Sequence, residues 1–353
     1  MNFLDGSLFP ENQEKLVITA APYGPEWIPS DFPEDIAVSM EEQVQKAVDC
    51  YNAGASVLHV HVREADGKGS KRISQFNELL ARLRVAVPEM LLQVGGSISF
   101  APESDGEKAK WLSDDTRHML AELSPKPDQV TVTVNTSQMN IVEQMEPDDI
   151  AGTSLAEAQT YQAYREMIVP GGPGWAEEHV RRLSAAGLQS AFQFYNINSF
   201  ETVERMIRRG VYKGPLVMNW VAIGGGMDAP NIYNLANFLR ATPDGAMLTL
   251  ESSMRNVLPI NMMAIAMGLH VRCGIEDNFW TQDHKSKMST VKQIEQLVRM
   301  SHEFGRDIAD GKDARRICKI GVFYGSIEET LERNGFAPNR TTVPAKVARH
   351  RAA

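Results

Sequence analysis

The chain reads as an α/β protein whose expected architecture is a (β/α)8 TIM barrel with extended βα loops and a C-terminal helical extension. Two observations point there. Eight short apolar runs rich in β-branched residues alternate with amphipathic stretches, and eight parallel strands joined by crossover helices is the number that closes a barrel. In addition, His61, Asn135, Asn196 and Asp277 all fall at the C-terminal ends of such runs, the face on which barrel sites are built. A doubly wound open sheet is the competing arrangement on pattern alone.

The elements follow in order. Lys15–Pro22 (LVITAAP from Leu16) is expected as the first strand. Ser39–Ala53 is expected as a helix, with Ser39 as the cap and Glu42 as the capping-box partner. Strand Ser56–Val62, helix Ser74–Val87 and strand Met90–Gly95 come next. The remaining strands are Gln129–Asn135, Gln189–Asn196, Pro215–Ile223, Met247–Glu251 and His270–Glu276. Helices between them fall at Trp175–Ala186, Phe200–Arg209, Asn231–Arg240 and Leu258–Met267, and Val291–Phe304 follows the last strand. Met262, Met263 and Met267 recur at helical spacing, which predicts core positions.

Two stretches exceed a minimal barrel. Ser97–Asp115 and the Pro- and Gly-containing Gln138–Gly174 lie after the third and fourth strands, where long insertions make lids or subunit contacts. The barrel is expected over residues 1–321, with a short helix near Asp313–Lys319. A tail over 322–353 ends in a basic segment from Arg340, where low order is expected.

Bulk properties narrow the class. The chain has 353 residues, of which 43% are apolar, enough for a full core. A net charge of −9 with mixed signs argues against nucleic acid, although a local basic site can still take a small anion. Cys50, Cys273 and Cys318 have no metal-like spacing and suit a reducing, cytoplasmic setting. No basic start precedes an apolar run, and no run approaches the roughly 18–20 residues of a membrane span, so neither a signal peptide nor a membrane partner is expected.

The chemistry concentrates in two strands. In Ala55-Ser56-Val57-Leu58-His59-Val60-His61-Val62-Arg63, side-chain alternation puts His59 and His61 on one face and Leu58, Val60 and Val62 on the other. In His270-Val271-Arg272-Cys273-Gly274-Ile275-Glu276-Asp277-Asn278 the same count puts Arg272, Gly274 and Glu276 together and turns Cys273 away, which removes it as a nucleophile. Two imidazoles and a carboxylate are the protein ligands of many catalytic zinc sites. Each feature has a structural alternative: satisfied core histidines, a helix N-cap at Asp277, or a buried Arg272–carboxylate pair. Ile223-Gly224-Gly225-Gly226 and Gly95-Gly96-Ser97 read equally as phosphate or pantetheine contacts and as tight turns. There is no GxGxxG fingerprint opening a helix and no Walker A pattern.

At these residues the chain resembles the β-keto acid cleavage enzymes, the 3-keto-5-aminohexanoate cleavage enzyme family, from about Lys15 to Gly321. Four segments carry the resemblance: Ile18-Thr19-Ala20-Ala21-Pro22-Tyr23-Gly24-Pro25-Glu26, Ala53–Arg63, the Pro127–Asn135 strand, and His270–Asn278. The resemblance implies a zinc-dependent TIM barrel that converts a β-keto acid and acetyl-CoA to acetoacetate and a new acyl-CoA. It implies His59, His61 and Glu276 as ligands of Zn2+ and Asp277, aided by Arg272, as general base. It also implies Glu26 and Thr133 as substrate contacts and a homo-oligomer, by family habit a homotetramer.

Departures from the family pattern mark the substrate. The usual Ser-Thr-Gly-Gly after strand three is here Gly95-Gly96-Ser97-Ile98, so a serine contact is either lost or moved to Ser97. Ala191 and Gln193 stand where strand five usually carries glutamates, which predicts that the carboxylate supporting the Arg–Asp pair is absent and leaves Gln193 as a substrate contact. Arg255, in Glu251-Ser252-Ser253-Met254-Arg255-Asn256, is expected to face CoA phosphates, with Gly225 beside it. Two other classes compete. An amidohydrolase-like zinc hydrolase also uses an HxH strand pair, but needs further histidines where Gln193, Tyr195 and Asn219 stand. A non-catalytic small-molecule binder on the same scaffold is favoured by the departures and opposed by the retained His59, His61, Arg272, Glu276 and Asp277.

Overall fold

The computed structural model describes residues 6–24, 27–70, 72–96, 117–135, 142, 145–166, 171–224, 226–253 and 257–340. Its sheet is a closed barrel of eight parallel strands in sequence order, the last paired back to the first. The strands are β1 Ile18–Ala20, β2 Val57–Val60, β3 Leu91–Val94, β4 Gln129–Val134, β5 Gln189–Phe194, β6 Val217–Val221, β7 Met247–Glu251 and β8 His270–Cys273. The expected barrel is therefore present and the open sheet is not. The ladders are shorter than the apolar runs that predicted them. His61, Asn135, Asn196 and Asp277 consequently lie just past the last paired residue of β2, β4, β5 and β8, at the barrel mouth.

Alternation divides each strand between two environments. Leu58, Val60, Leu92, Val132, Phe192, Phe194, Trp220, Leu250 and Val271 join the main core between barrel and helices. The helices are α1 Met40–Ala53, α2 Ile73–Ala86, α3 Pro147–Ile150, α4 Ala158–Arg165, α5 Pro173–Ala185, α6 Asn198–Arg208, α7 Ile232–Ala241, α8 Leu258–Ala266, α9 Thr290–Phe304, α10 Gly311–Ile317 and α11 Ile327–Asn334. The capping box at α1 forms as expected: Ser39 Oγ accepts from Glu42 N–H at 3.2 Å, and Glu42 Oε2 accepts from Ser39 N–H at 2.9 Å. Met262 departs from its expected core position. It is 52% exposed on the outer face of α8, because the three-residue spacing of a short helix does not say which side meets the barrel.

Described residues pack at both ends of the barrel. At the floor, Val17, Val57 and Leu91 pack against Ala314 of α10 and Cys318 just after it. Leu331 of α11, in the tail, joins the main core. At the mouth, a second cluster brings Ile150, Leu155 and Tyr164 of the Gln138–Gly174 insertion against Trp27, Ile275 and Phe279. Polar clamps hold this cover: Asp31 accepts from Ser154 N–H and Oγ, each at 2.7 Å, and Trp280 Nε1 donates to the Asp149 carbonyl at 2.6 Å. Residues 97–115 of the other insertion lie outside the described residues. No described helix is long and apolar enough to cross a membrane.

Candidate metal centre and its carboxylates

His59 is the third residue of β2 and His61 follows its end, so both imidazoles enter the barrel, where they are buried. Their Nε2 atoms lie 3.1 Å apart, and Glu276 Oε1 lies 3.4 Å from each. A tetrahedral zinc with bonds near 2.0–2.1 Å spaces its ligand atoms about 3.3–3.4 Å apart. The spacing observed thus fits a single small divalent ion. Among the described residues, these three form a group able to hold a metal, with the donor atoms within 4.8 Å of one another. Glu276 Oε2 is buried with no hydrogen-bond partner, a costly state that a cation relieves. Burial pushes the His59 imidazole down to about 4, so it is neutral and has a lone pair to offer. Burial raises the Glu276 carboxyl, but the Arg272 guanidinium and the two imidazoles together outweigh it and hold the group well below the usual carboxylate range.

Room for the imidazoles comes from Gly95. A Cβ there would lie 2.5 Å from His61 Nε2 and 3.0 Å from His59 Nε2. Gly95 thus permits close approach of the imidazoles, a role distinct from the contact and turn readings of the Gly95-Gly96-Ser97 run. The described part of the second run turns after β6, where Met227 N–H meets the Gly224 carbonyl at 3.2 Å.

The acidic end of β8 differs from its expected geometry. The strand was read through Glu276 with simple alternation. It ends at Cys273, and Gly274 (φ +138°) turns the chain against the Ala21 carbonyl, where a Cβ could not fit. The turn delivers both Glu276 and Asp277 to Arg272. The Arg272 Nη2 group donates to Glu276 Oε1 and Asp277 Oδ1, each at 2.8 Å, and Nε donates to Asp277 Oδ2 at 3.0 Å. Asp277 is fully buried. Burial raises its carboxyl to about 6, against the lowering pull of Arg272. Cys273 faces the outer core, as expected.

A third carboxylate completes the group. Glu251 Oε2, at the end of β7, sits 2.7 Å from Arg272 Nε, and Asn219 Nδ2 donates to the same oxygen. Sequence reasoning predicted that no supporting carboxylate remained, because it looked only at strand five. The support is supplied from β7 instead. The signal was available: Thr249 and Glu251 alternate with Leu248 and Leu250, so Glu251 must point inward, one strand from Arg272. Burial raises the Glu251 carboxyl, partly offset by Arg272.

The remaining expected residues scatter. Gln193 is buried and accepts from Asn219 Nδ2 at 2.7 Å, which joins it to the Glu251–Arg272 network. Thr133 is half-buried on β4, in register with Gln193. Glu26, Ser97, Gly225 and Arg255 lie outside the described residues. Arg63 of the histidine strand donates to the Trp27 and Gly67 carbonyls at 2.8 and 2.6 Å, so its role is to fix the loop after β1.

Known proteins resemble the chain in sequence. The chain is 27% identical over 308 residues to a 3-keto-5-aminohexanoate cleavage enzyme of Acetoanaerobium sticklandii, covering 87% of this chain and 99% of that one. It is 22% identical over 316 residues to a 3,5-dioxohexanoate:acetyl-CoA acetone transferase of Paraburkholderia graminis, covering 87% and 96%. Among solved structures, an apo structure of ObcA shares the fold with a TM-score of 0.57 at 12% identity, over 81% of this chain and 65% of that one. The model of the beta-keto acid cleavage enzymes matches residues 15–320, nearly the whole barrel with both of its chemical strands, and the chain belongs to that family.

Proposed function

We propose that this chain is a zinc-dependent β-keto acid cleavage enzyme, which takes a β-keto acid and acetyl-CoA to acetoacetate and a new acyl-CoA. The observation that carries the proposal is the convergence of His59, His61 and Glu276, at zinc-like spacing, with the Arg272–Asp277 pair at one barrel mouth. His59 Nε2, His61 Nε2 and one Glu276 oxygen would hold the ion, which when bound supplies a Lewis acid for the substrate carbonyl. Names of relatives support the co-substrate, since one acts as an acetyl-CoA acetone transferase and another as a 3-oxoadipate:acetyl-CoA acetyltransferase.

The chain's own residues divide the rest of the work. Asp277 takes the proton whose loss sets up carbon–carbon cleavage. A carboxyl raised by burial is a better base than an exposed one and still ionises near neutral pH. Arg272 orients it through two hydrogen bonds. Glu251 and Glu276 keep Arg272 paired when Asp277 becomes neutral, so the guanidinium is not left uncompensated in the barrel. Thr133 and Gln193, with Glu26 and Ser97, are assigned to the β-keto acid, and Arg255 and Gly225 to CoA. The three free, buried cysteines favour a cytoplasmic setting, and exposed Ile232 and Tyr233 on α7 offer surface for a homo-oligomer. Division into a barrel unit over 1–321 and a tail from 322 stays part of this reading.

The test is incubation of the zinc-loaded protein with acetyl-CoA and a panel of β-keto acids, with acetoacetate and acyl-CoA followed by mass spectrometry. Stoichiometric formation of both products supports the proposal. Their absence across the panel, or release of free CoA alone, overturns it.

A further inference from the structure

Three glutamines stand inside the barrel in direct register with a metal-ligand candidate. His59 pairs with Gln93 across β2 and β3, Gln93 with Gln129 across β3 and β4, and Gln129 with Gln189 across β4 and β5. All four side chains are buried, so each polar atom needs a partner inside the protein. They find one another. Gln189 Nε2 donates to the Cys318 carbonyl at 2.8 Å, Gln129 Nε2 to Gln189 Oε1 at 2.6 Å, and Gln93 Nε2 to Gln129 Oε1 at 2.8 Å. The last oxygen, Gln93 Oε1, lies 2.8 Å from His59 Nδ1.

This chain has a direction. A backbone carbonyl can only accept, so Gln189 must turn its NH2 to Cys318 and its oxygen to Gln129. The same choice then propagates through Gln129 and Gln93, because reversing any one amide sets two acceptors or two donors face to face. At the far end Gln93 must offer an oxygen, and His59 must answer with Nδ1–H. A neutral imidazole carries one proton, so Nε2 is left as the lone-pair nitrogen, and Nε2 is the atom that faces His61 and Glu276.

We propose that Gln93, Gln129 and Gln189 are positioning residues that carry hydrogen-bond polarity from the Cys318 carbonyl at the barrel floor to His59, and so fix the tautomer in which its Nε2 is the ligand atom. The proposal rests on the zinc reading only for the ligand role of Nε2, since the tautomer is a property of the metal-free protein. Partners of this kind typically change metal affinity about 10- to 100-fold when removed.

The experiment uses the full chain in three variants besides the wild type: Gln93→Leu, Gln93→Glu and Gln189→Met. Long-range 1H–15N correlation on metal-free protein reads the His59 tautomer, assigned by the peak lost in His59→Gln. Zinc affinity is read by competition with a chromophoric chelator, and folding by thermal melting. Wild-type His59 is expected as Nδ1–H. Gln93→Leu is expected to mix the tautomers and weaken zinc about 10- to 100-fold. Gln93→Glu, which keeps an acceptor toward His59, is expected to retain Nδ1–H even where it lowers the melting temperature. Gln189→Met is expected to fall between wild type and Gln93→Leu in affinity. Wild-type His59 protonated at Nε2 overturns the proposal, as does a folded Gln93→Leu with zinc affinity within about twofold of wild type. If Gln93→Leu does not fold, loss of Nδ1–H in Gln93→Glu overturns it. Nδ1–H in a wild-type protein that binds no zinc supports the relay and sinks the zinc reading instead.

Discussion

Replacing Asp277 with asparagine separates chemistry from architecture at one atom. The aspartate presents two oxygens to Arg272, accepting from Nε at 3.0 Å and from Nη2 at 2.8 Å. Asparagine can present only one, so one guanidinium N–H comes to face an amide N–H. Losing a hydrogen bond to a charged group costs about 1.5–3 kcal/mol of stability. Arg272 keeps Glu251 and Glu276, so it is not stranded and the barrel is expected to fold. Removal of a general base costs about 10²- to 10⁴-fold in rate, or roughly 2.7–5.4 kcal/mol of barrier. The two effects fall on different observables. Initial rates of acyl-CoA formation under saturating acetyl-CoA give kcat and KM, calorimetry gives the melting temperature, and elemental analysis gives zinc content. A kcat fall of at least about 10²-fold, with unchanged zinc and little change in KM, is expected. A kcat within tenfold of wild type, together with a lowered melting temperature, would show that Asp277 merely anchors Arg272 and that the base lies elsewhere.

Three further outcomes follow from the structure. Glu251→Gln retains an acceptor toward Arg272 Nε but can no longer ionise, so kcat is expected to fall by about tenfold, equivalent to about 1.4 kcal/mol. Zinc content should be preserved, and an unchanged kcat would mark Glu251 as packing only. The His59→Ala, His61→Ala double variant is expected to bind no zinc at protein concentrations that saturate the wild type; full occupancy by elemental analysis would place the metal elsewhere. Asp128 lies away from the site, where burial raises its carboxyl but Arg315 at 2.7 Å and Arg84 at 3.0 Å outweigh it and lower it. A folded-state value below the unfolded one of about 3.9 means that its contribution is fully present above that pH and is lost as pH falls through the folded value. Asp128→Asn is therefore expected to cost roughly 1–3 kcal/mol in urea melts at pH 7, with the gap to wild type narrowing as the carboxyl is protonated in acid; a constant gap would contradict the assignment.

The barrel was legible in the sequence because each strand pairs an apolar outer face with a period of two, a signal that survives in runs as short as Met247–Glu251. His59 and His61 were legible for the same reason: polar groups of that size on the inner face of an apolar strand need a partner. Glu251 was not recognised, because a carboxylate closing an apolar run reads as strand punctuation until its neighbour across the ladder is known to be an arginine. Gln93, Gln129 and Gln189 were passed over for a related reason. Each is unremarkable alone, and their connection depends on cross-strand register, which no single strand encodes. The turn at Gly274 was missed because alternation has no term for a left-handed residue inside an apolar run.

Gly95 carries an implication for how substrates are exchanged within such a barrel. The space that a side chain would occupy there belongs to the two imidazoles. A serine at position 95 would bring its Cβ to 2.5 Å from His61 Nε2 and 3.0 Å from His59 Nε2 and push the two imidazoles apart. Recognition of a new acid is thereby displaced outward, to rim residues that can vary without touching the ligands. Selection of this protein for other β-keto acids is therefore expected to accept changes at the rim and to reject any side chain at position 95, so the end of strand three stays fixed while the rim varies.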